Sequence, residues 1–360
     1  MSGVTIKEPQ GVLRSRWSAS VDDYAIAGGW ALRGDAIVVA DSAGGVHAFD
    51  GTTGRSRWSR RDTHPGGLLA IAIRSDTVTL ATAGQDGCVR LWSIEDGEPR
   101  RSLPIADGWV ERLEWSPNGD YLAASCRREV RVFSAAGEEV WRSPPHPSTV
   151  SALQWLDPRT LASACYGRVT MFRIPNGSEA RRFEWKGSLV SMVHSPDGDV
   201  IACGSQDNSV HFWRRTTGKD SMMSGYEGKP AALAFDDSGT LLATGGGVAV
   251  TVWSFAGRGP EGTRPGELEM HVLPIMSLTF APRSMRLASG ARDGAVVVWA
   301  LEKSGRGKPI GVVQLQHAIA GLHWHPDGEA LVALDAGGGV VAWRVEAPPA
   351  ARRPAGKTPR

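Results

Sequence analysis

Long apolar runs are missing from this chain, and no stretch approaches the ~20 residues that a membrane-spanning helix needs. The opening MSGVTIKEPQGVLRSRW lacks the apolar core of a secretory leader, so a soluble cytoplasmic protein is expected. Cysteine is scarce. The four residues Cys88, Cys126, Cys165 and Cys203 contain no CxxC pair, which gives zinc-ribbon and thioredoxin-like readings no support. Cys126 and Cys165 fall at equivalent places about 40 residues apart and are expected to pack as small buried residues. Net charge is nearly absent as well: 40 basic against 38 acidic residues leave +2. No overall field therefore favours nucleic acid or a membrane surface.

Aromatic residues, by contrast, recur with a period. Phe49, Trp92, Phe133, Phe172, Trp213, Trp253, Trp299 and Trp343 stand 43, 41, 39, 41, 40, 46 and 44 residues apart, each closing a run that begins with valine. A repeat of about 40–45 residues built of short strands marks a radially repeated β-propeller. The 44 glycines and 22 prolines fit a chain of many tight turns. Within a unit, a turn such as Ser116-Pro117-Asn118-Gly119 or Ser195-Pro196-Asp197-Gly198 links the first two strands (a and b). Proline presets φ there and glycine accepts positive φ. A polar loop then leads to the aromatic-ended strand (c), and a glycine-bearing turn to an outer strand (d).

This pattern resembles the WD-repeat family over roughly residues 11–346. The resemblance implies a polar tetrad of His, Ser or Thr, Asp and Trp. Two units match it in full: His64, Thr82, Asp86 and Trp92, then His271, Ser289, Asp293 and Trp299. The fifth unit keeps Asp207 and Trp213 but has Lys186 and Cys203 in the His and Ser slots. The fourth keeps His146 and Ser163 without an Asp. The remaining tops are expected to be held by packing alone. Eight anchors predict eight four-stranded blades in an all-β propeller, with seven blades the alternative. The last unit lacks an outer strand, and Gly11–Trp17 mimics Gly54–Trp58, so the N-terminal strand is expected to close the ring in the last blade. Residues 1–10 are then an extension and 347–360 a disordered tail rich in Pro, Ala and basic residues.

No nucleophile, base and orienter come together, so no catalytic residue, metal site, cofactor or small-molecule substrate is expected. His323 and His325 have no nearby carboxylate and are expected at the surface or in a turn. The family resemblance implies a non-catalytic scaffold that binds partner proteins through loops of one face. The expected contact residues are Gln85, Trp109, Arg127, Arg128, Tyr166, Lys186, Gln206 and Arg292; Trp, Tyr and Arg often dominate interface energies. Met222–Pro230 and Gly257–Pro265 break the repeat's composition and resemble segments of a bacterial WD-repeat group sometimes found with CobW-type metal chaperones. That likeness implies an accessory to a metal-homeostasis GTPase as one alternative. His47–Trp58 is similar to the tryptophan-docking repeat of quinoprotein dehydrogenases, echoed at Gly137–Trp141. A propeller enzyme is the other alternative.

Overall fold

Turn chemistry punctuates the chain into strands as the sequence predicts. In the third repeat, Ser116 Oγ accepts the Tyr121 amide at 3.0 Å while Gly119 takes φ +74, which reverses the chain between Val110–Trp115 and Tyr121–Cys126. The computed structural model describes residues 10–105, 107–257 and 259–346; the expected tail lies outside them. Among the described residues the only helix is the single 3-10 turn Leu32–Gly34.

The eight inner strands touch one another in sequence and close a ring, with Ala25–Ala31 against Ile319–Trp324 at the closure. Counted by hydrogen bonding, however, there are seven sheets rather than the eight expected. The seven-membered alternative holds at that level. Repeats four and five share one six-stranded sheet, because the long strand Ser178–His194 serves both. Thr160–Arg173 pairs through its first half with Ala152–Asp157 and through its second half with Ser178–His194. Ser178–His194 then runs on to pair with Val200–Ser205. The physical reason is the short link at Trp185–Gly187, which leaves no room for the loop that separates other repeats; Tyr166 pairs directly with Ser188 across it.

Closure follows expectation. Leu13–Ser20 pairs with Gly339–Val345, from Leu13 opposite Val345 to Ser20 opposite Gly339. Gln10–Gly11 also adds to the outer edge of Gly307–Gln314, so the N-terminal segment grips the last two repeats. Arg14 and Glu346 pair at 2.9 Å beside it.

Each sheet buries both faces against its neighbours. Ala36–Asp41 is buried at every position, and Val38, Ala48, Leu80 and Trp92 form one core between the first two repeats. Indoles stitch the boundaries. Trp30, Trp115, Trp155 and Trp324 donate Nε1–H to the carbonyls of His323, Ala72, Glu114 and Thr279 on the preceding inner strand, at 3.0–3.2 Å. Near the rim, Trp58 donates to Ile94 O at 2.7 Å and Trp17 to Gly51 O at 3.1 Å. Trp17, Trp58 and Trp141 lie over Gly54, Gly97 and Gly177 of the next repeat, all with positive φ; a Cβ there would sit within 2.6 Å of the ring. The tryptophan-docking likeness is thus a real packing device.

Replacing Trp58 by Ala removes a buried indole, its bond to Ile94 and its cover over Gly97. A loss of about 3–5 kcal/mol is expected, read as a lower urea midpoint with unchanged circular dichroism at zero denaturant.

Candidate interaction face

The loops between repeats and the turns between strands b and c share one face. Polar chains hold it from below. In the second repeat Trp92 donates to Thr82 Oγ1 (2.8 Å), Thr82 to His64 Nε2 (2.8 Å), and His64 Nδ1–H to Asp86 (2.9 Å). The seventh repeats it: Trp299 to Ser289 and Ser289 to His271, both at 2.8 Å, with Asp293 3.5 Å from His271 Nδ1. Burial pushes both imidazoles below their usual pKa despite the carboxylates. Burial also opposes ionisation of Asp86, but bonds from His64 and Arg90 outweigh it and hold the carboxyl low. These residues are structural links turned inward, and His271 Nδ1 is the one tetrad ring nitrogen without a hydrogen-bond partner.

The first and sixth tops are not held by packing alone, which corrects that expectation, while the fourth keeps its expected His–Ser link. His146 bonds Ser163 at 2.8 Å and, lacking an Asp, uses the Arg128 carbonyl at 3.0 Å. In the sixth repeat a tyrosine takes the histidine's place: Trp253 donates to Tyr226 Oη (2.9 Å), which bonds Thr244 Oγ1 (2.8 Å). Tyr226 sits inside the Met222–Pro230 segment, which is therefore partly structural; Met223 is buried too. In the first repeat the buried pair His47–Asp41 (2.8 Å) comes from strands c and b. In the fifth, Trp185 rather than Lys186 fills the top, with its ring centroid 3.9 Å from that of His211. His323 also departs from its expected surface place: its Nε2 is buried without a partner, and burial pushes its pKa down to about 4. His325 does lie at a turn, but contrary to expectation it has a carboxylate beside it, Asp327 at 2.7 Å. Cys126, Cys165 and Cys203 are buried thiols pushed up by desolvation. The Gly257–Pro265 loop folds back on the preceding repeat, with Glu261 3.2 Å from Lys219.

The eight expected contact residues all stand on this face, and the structure brings some together. Gln85, Trp109 and Arg127 line one cleft of about 530 Å³ with Asp107 and Glu111. Arg127 and Arg128 line an adjoining one of about 410 Å³. Trp109 is 52% exposed and Tyr166 55%. Arg128 is only half free, because its Nε donates to His146 O at 2.5 Å. Lys186, Gln206 and Arg292 are exposed but line neither cleft. Sequence reasoning missed an apolar group in the seventh repeat: Met270, Val272, Leu273 and Met276, with Val272 76% exposed. The signal is the run Met270-His271-Val272-Leu273-Pro274, in which apolar residues flank the tetrad histidine. Clefts of about 500 and 570 Å³ open on the opposite face around Ser284 and Met285, without an exposed aromatic.

The histidines predict a pH dependence. A group whose folded pKa lies below its unfolded value binds fewer protons when folded, so stability falls as pH drops below about 6.5. Desolvation raises Glu114 to about 7, which acts in the opposite sense between about 4.5 and 7. A comparison isolates His323: His323→Leu should flatten the stability–pH curve between about 6.5 and about 4 and leave neutral stability unchanged or higher. Denaturant midpoints across that range provide the check.

Comparisons with known proteins agree with both repeat types. The family model described as outer membrane protein assembly factor BamB matches residues 14–223, and the WD domain, G-beta repeat model matches residues 262–300. The chain is 24% identical over 273 residues to actin-interacting protein 1 of Caenorhabditis elegans, covering 72% of this chain and 43% of that protein. It is 24% identical over 317 residues to autophagy-related protein 16 of Arabidopsis thaliana, covering 86% and 62%. To the target of rapamycin complex subunit LST8 of Mus musculus it is 22% identical over 247 residues, covering 63% and 74%. The chain thus spans about half the length of the first two. Among solved structures, the computationally designed Ika8 protein is similar in fold, with a TM-score of 0.79 and 21% identity over 93% of this chain and all of that one. Docked Trp–Gly pairs in the early repeats and Trp–Ser/Thr–His–Asp chains in the second and seventh carry the same assignment: the chain belongs to the WD-repeat β-propellers, and across residues 14–223 to the family described as outer membrane protein assembly factor BamB.

Proposed function

We propose that residues 11–346 form a single non-catalytic scaffold that docks partner proteins on the face carrying the inter-repeat loops. One observation carries this reading. Of the nine large hydrophobics exposed among the described residues, seven stand on that face: Tyr24, Trp109, Tyr166, Met270, Val272, Leu273 and Met276; only Val78 and Met222 lie elsewhere. Exposed apolar groups concentrated on one surface mark interaction sites. Below them the polar chains tie the strands together, so the loops stand on a fixed base and binding need not order it.

A second observation favours docking within a larger assembly. The family matching residues 14–223 is described as an assembly factor, and one relative as a complex subunit. The docked tryptophans account for the quinoprotein likeness by packing alone, so that likeness lends an enzyme no support. The metal-homeostasis alternative differs only in the partner's identity, and of the two segments it rests on, Met222–Pro230 is partly structural through Tyr226. A cytoplasmic location belongs to the same reading, and cell fractionation tests it. No helix among the described residues is long and apolar enough to cross a membrane.

Affinity capture from the native host with the wild-type chain and two variants tests the face. Trp109→Ala combined with Arg127→Ala removes one patch, and Val272→Asp charges the other. A bound partner should be weakened about 30-fold or more by one of them, with the fold intact by circular dichroism. Full retention by both variants would move the docking site off this face.

A further inference from the structure

The first repeat departs from every other in how its top is built. Asp41 Oδ1 accepts the Gly45 amide at 2.7 Å, which leaves Oδ2 2.8 Å from His47 Nε2. Ser59 Oγ lies 2.8 Å from His47 Nδ1 and fixes the ring's rotation from behind. Both side chains are almost wholly buried, Asp41 at 0% and His47 at 6% exposure. Asp22, from the loop entering the repeat, adds a third donor at the solvent edge, and the three donor atoms lie within 4.8 Å of one another. The last repeat supplies an internal comparison. Asp335 occupies the place of Asp41 and locks Gly337 and Gly339, but Val341 stands where His47 would be. The aspartate is thus a loop lock common to both, and His47 with Asp22 is what the first repeat adds.

We propose that Asp22, Asp41 and His47 form a divalent-metal site of the zinc class. One imidazole and two carboxylates are a donor set that zinc accepts, at about 2.0–2.2 Å per bond. The outer contacts have the form of second-layer support, with a hydroxyl behind the imidazole and a backbone amide behind the carboxylate. Glycine at position 45 keeps the space over the donors open: a Cβ there would lie 2.3 Å from Asp41 Oδ2 and 2.5 Å from His47 Nε2. Two carboxylates balance a divalent ion, so the loaded site buries no net charge. Zinc takes the Nε2 lone pair in place of the hydrogen bond to Asp41, and the ring proton moves to Nδ1, where Ser59 Oγ accepts it. At present Arg61 neutralises Asp22 through bonds of 2.7 and 3.0 Å. Arg61 is 72% exposed, so displacing it costs little. The ion's remaining positions face solvent beside Asp22.

Titration of the EDTA-treated full chain with zinc chloride, by calorimetry and by thermal unfolding, tests this. One equivalent should bind, and the unfolding midpoint should rise with zinc concentration. Asp22→Asn should weaken binding about 10-fold or more while leaving the metal-free midpoint unchanged. His47→Gln should abolish the stoichiometric uptake. Arg61→Gln should tighten binding, a gain that a purely structural cluster does not produce. Failure to take up one equivalent, or equal zinc affinity in wild type, Asp22→Asn and His47→Gln, overturns the proposal.

Discussion

Indoles that reach across repeat boundaries are the interaction on which the rest of this structure depends. A single sheet with two apolar faces has no stable existence in water, so each repeat must find its neighbours at a set spacing. Burial supplies the energy but is indifferent to small slides. The Nε1–H groups of Trp30, Trp115, Trp155 and Trp324 each choose one carbonyl on the adjacent inner strand. Trp30 bonds His323 across the junction of first and last repeats, so the device that spaces neighbours also closes the ring. Leu13–Ser20 completes the closure by supplying the outer strand that the last repeat lacks.

A ring so stitched has little freedom left below its loops, and that bears on function. The histidines that invite a catalytic reading are engaged in Trp–Ser/Thr–His chains, closed by Asp86 at 2.9 Å in the second repeat and with Asp293 3.5 Å away in the seventh. Burial keeps them neutral, and the thiols with them. The tetrad histidines thus serve the frame, while exposed apolar side chains gather on one face. Such a division suits docking: the fold fixes the geometry and the loops carry the identity.

Much of this was legible in the sequence. The aromatic period, the Pro–Gly turns and the two complete tetrads were visible as residue types at fixed spacing. What escaped was either unpatterned or disguised. Tyr226 does a histidine's work with a hydroxyl, and no spacing rule would propose that exchange. The indoles at the ends of inner strands share the repeat's period, yet their partners are backbone carbonyls, which leave no mark in a sequence. The merged fourth and fifth repeats turn on the shortness of the link at Trp185–Gly187, a difference of a few residues that a count of anchors cannot register. On the candidate face, Trp109 and Arg127 were chosen for their type and do share a cleft. The seventh-repeat patch was overlooked because its residues are ordinary core types that happen to be exposed.

The central claim is that one face of this ring holds its partner. Chemical cross-linking of the full chain in native-host extract, followed by mass spectrometry, tests it most directly. Cross-links to a recurring partner should fall on residues 21–24, 107–109, 166–167 and 270–276. Recurring cross-links confined to the opposite face, around Ser284 and Met285, would contradict the account.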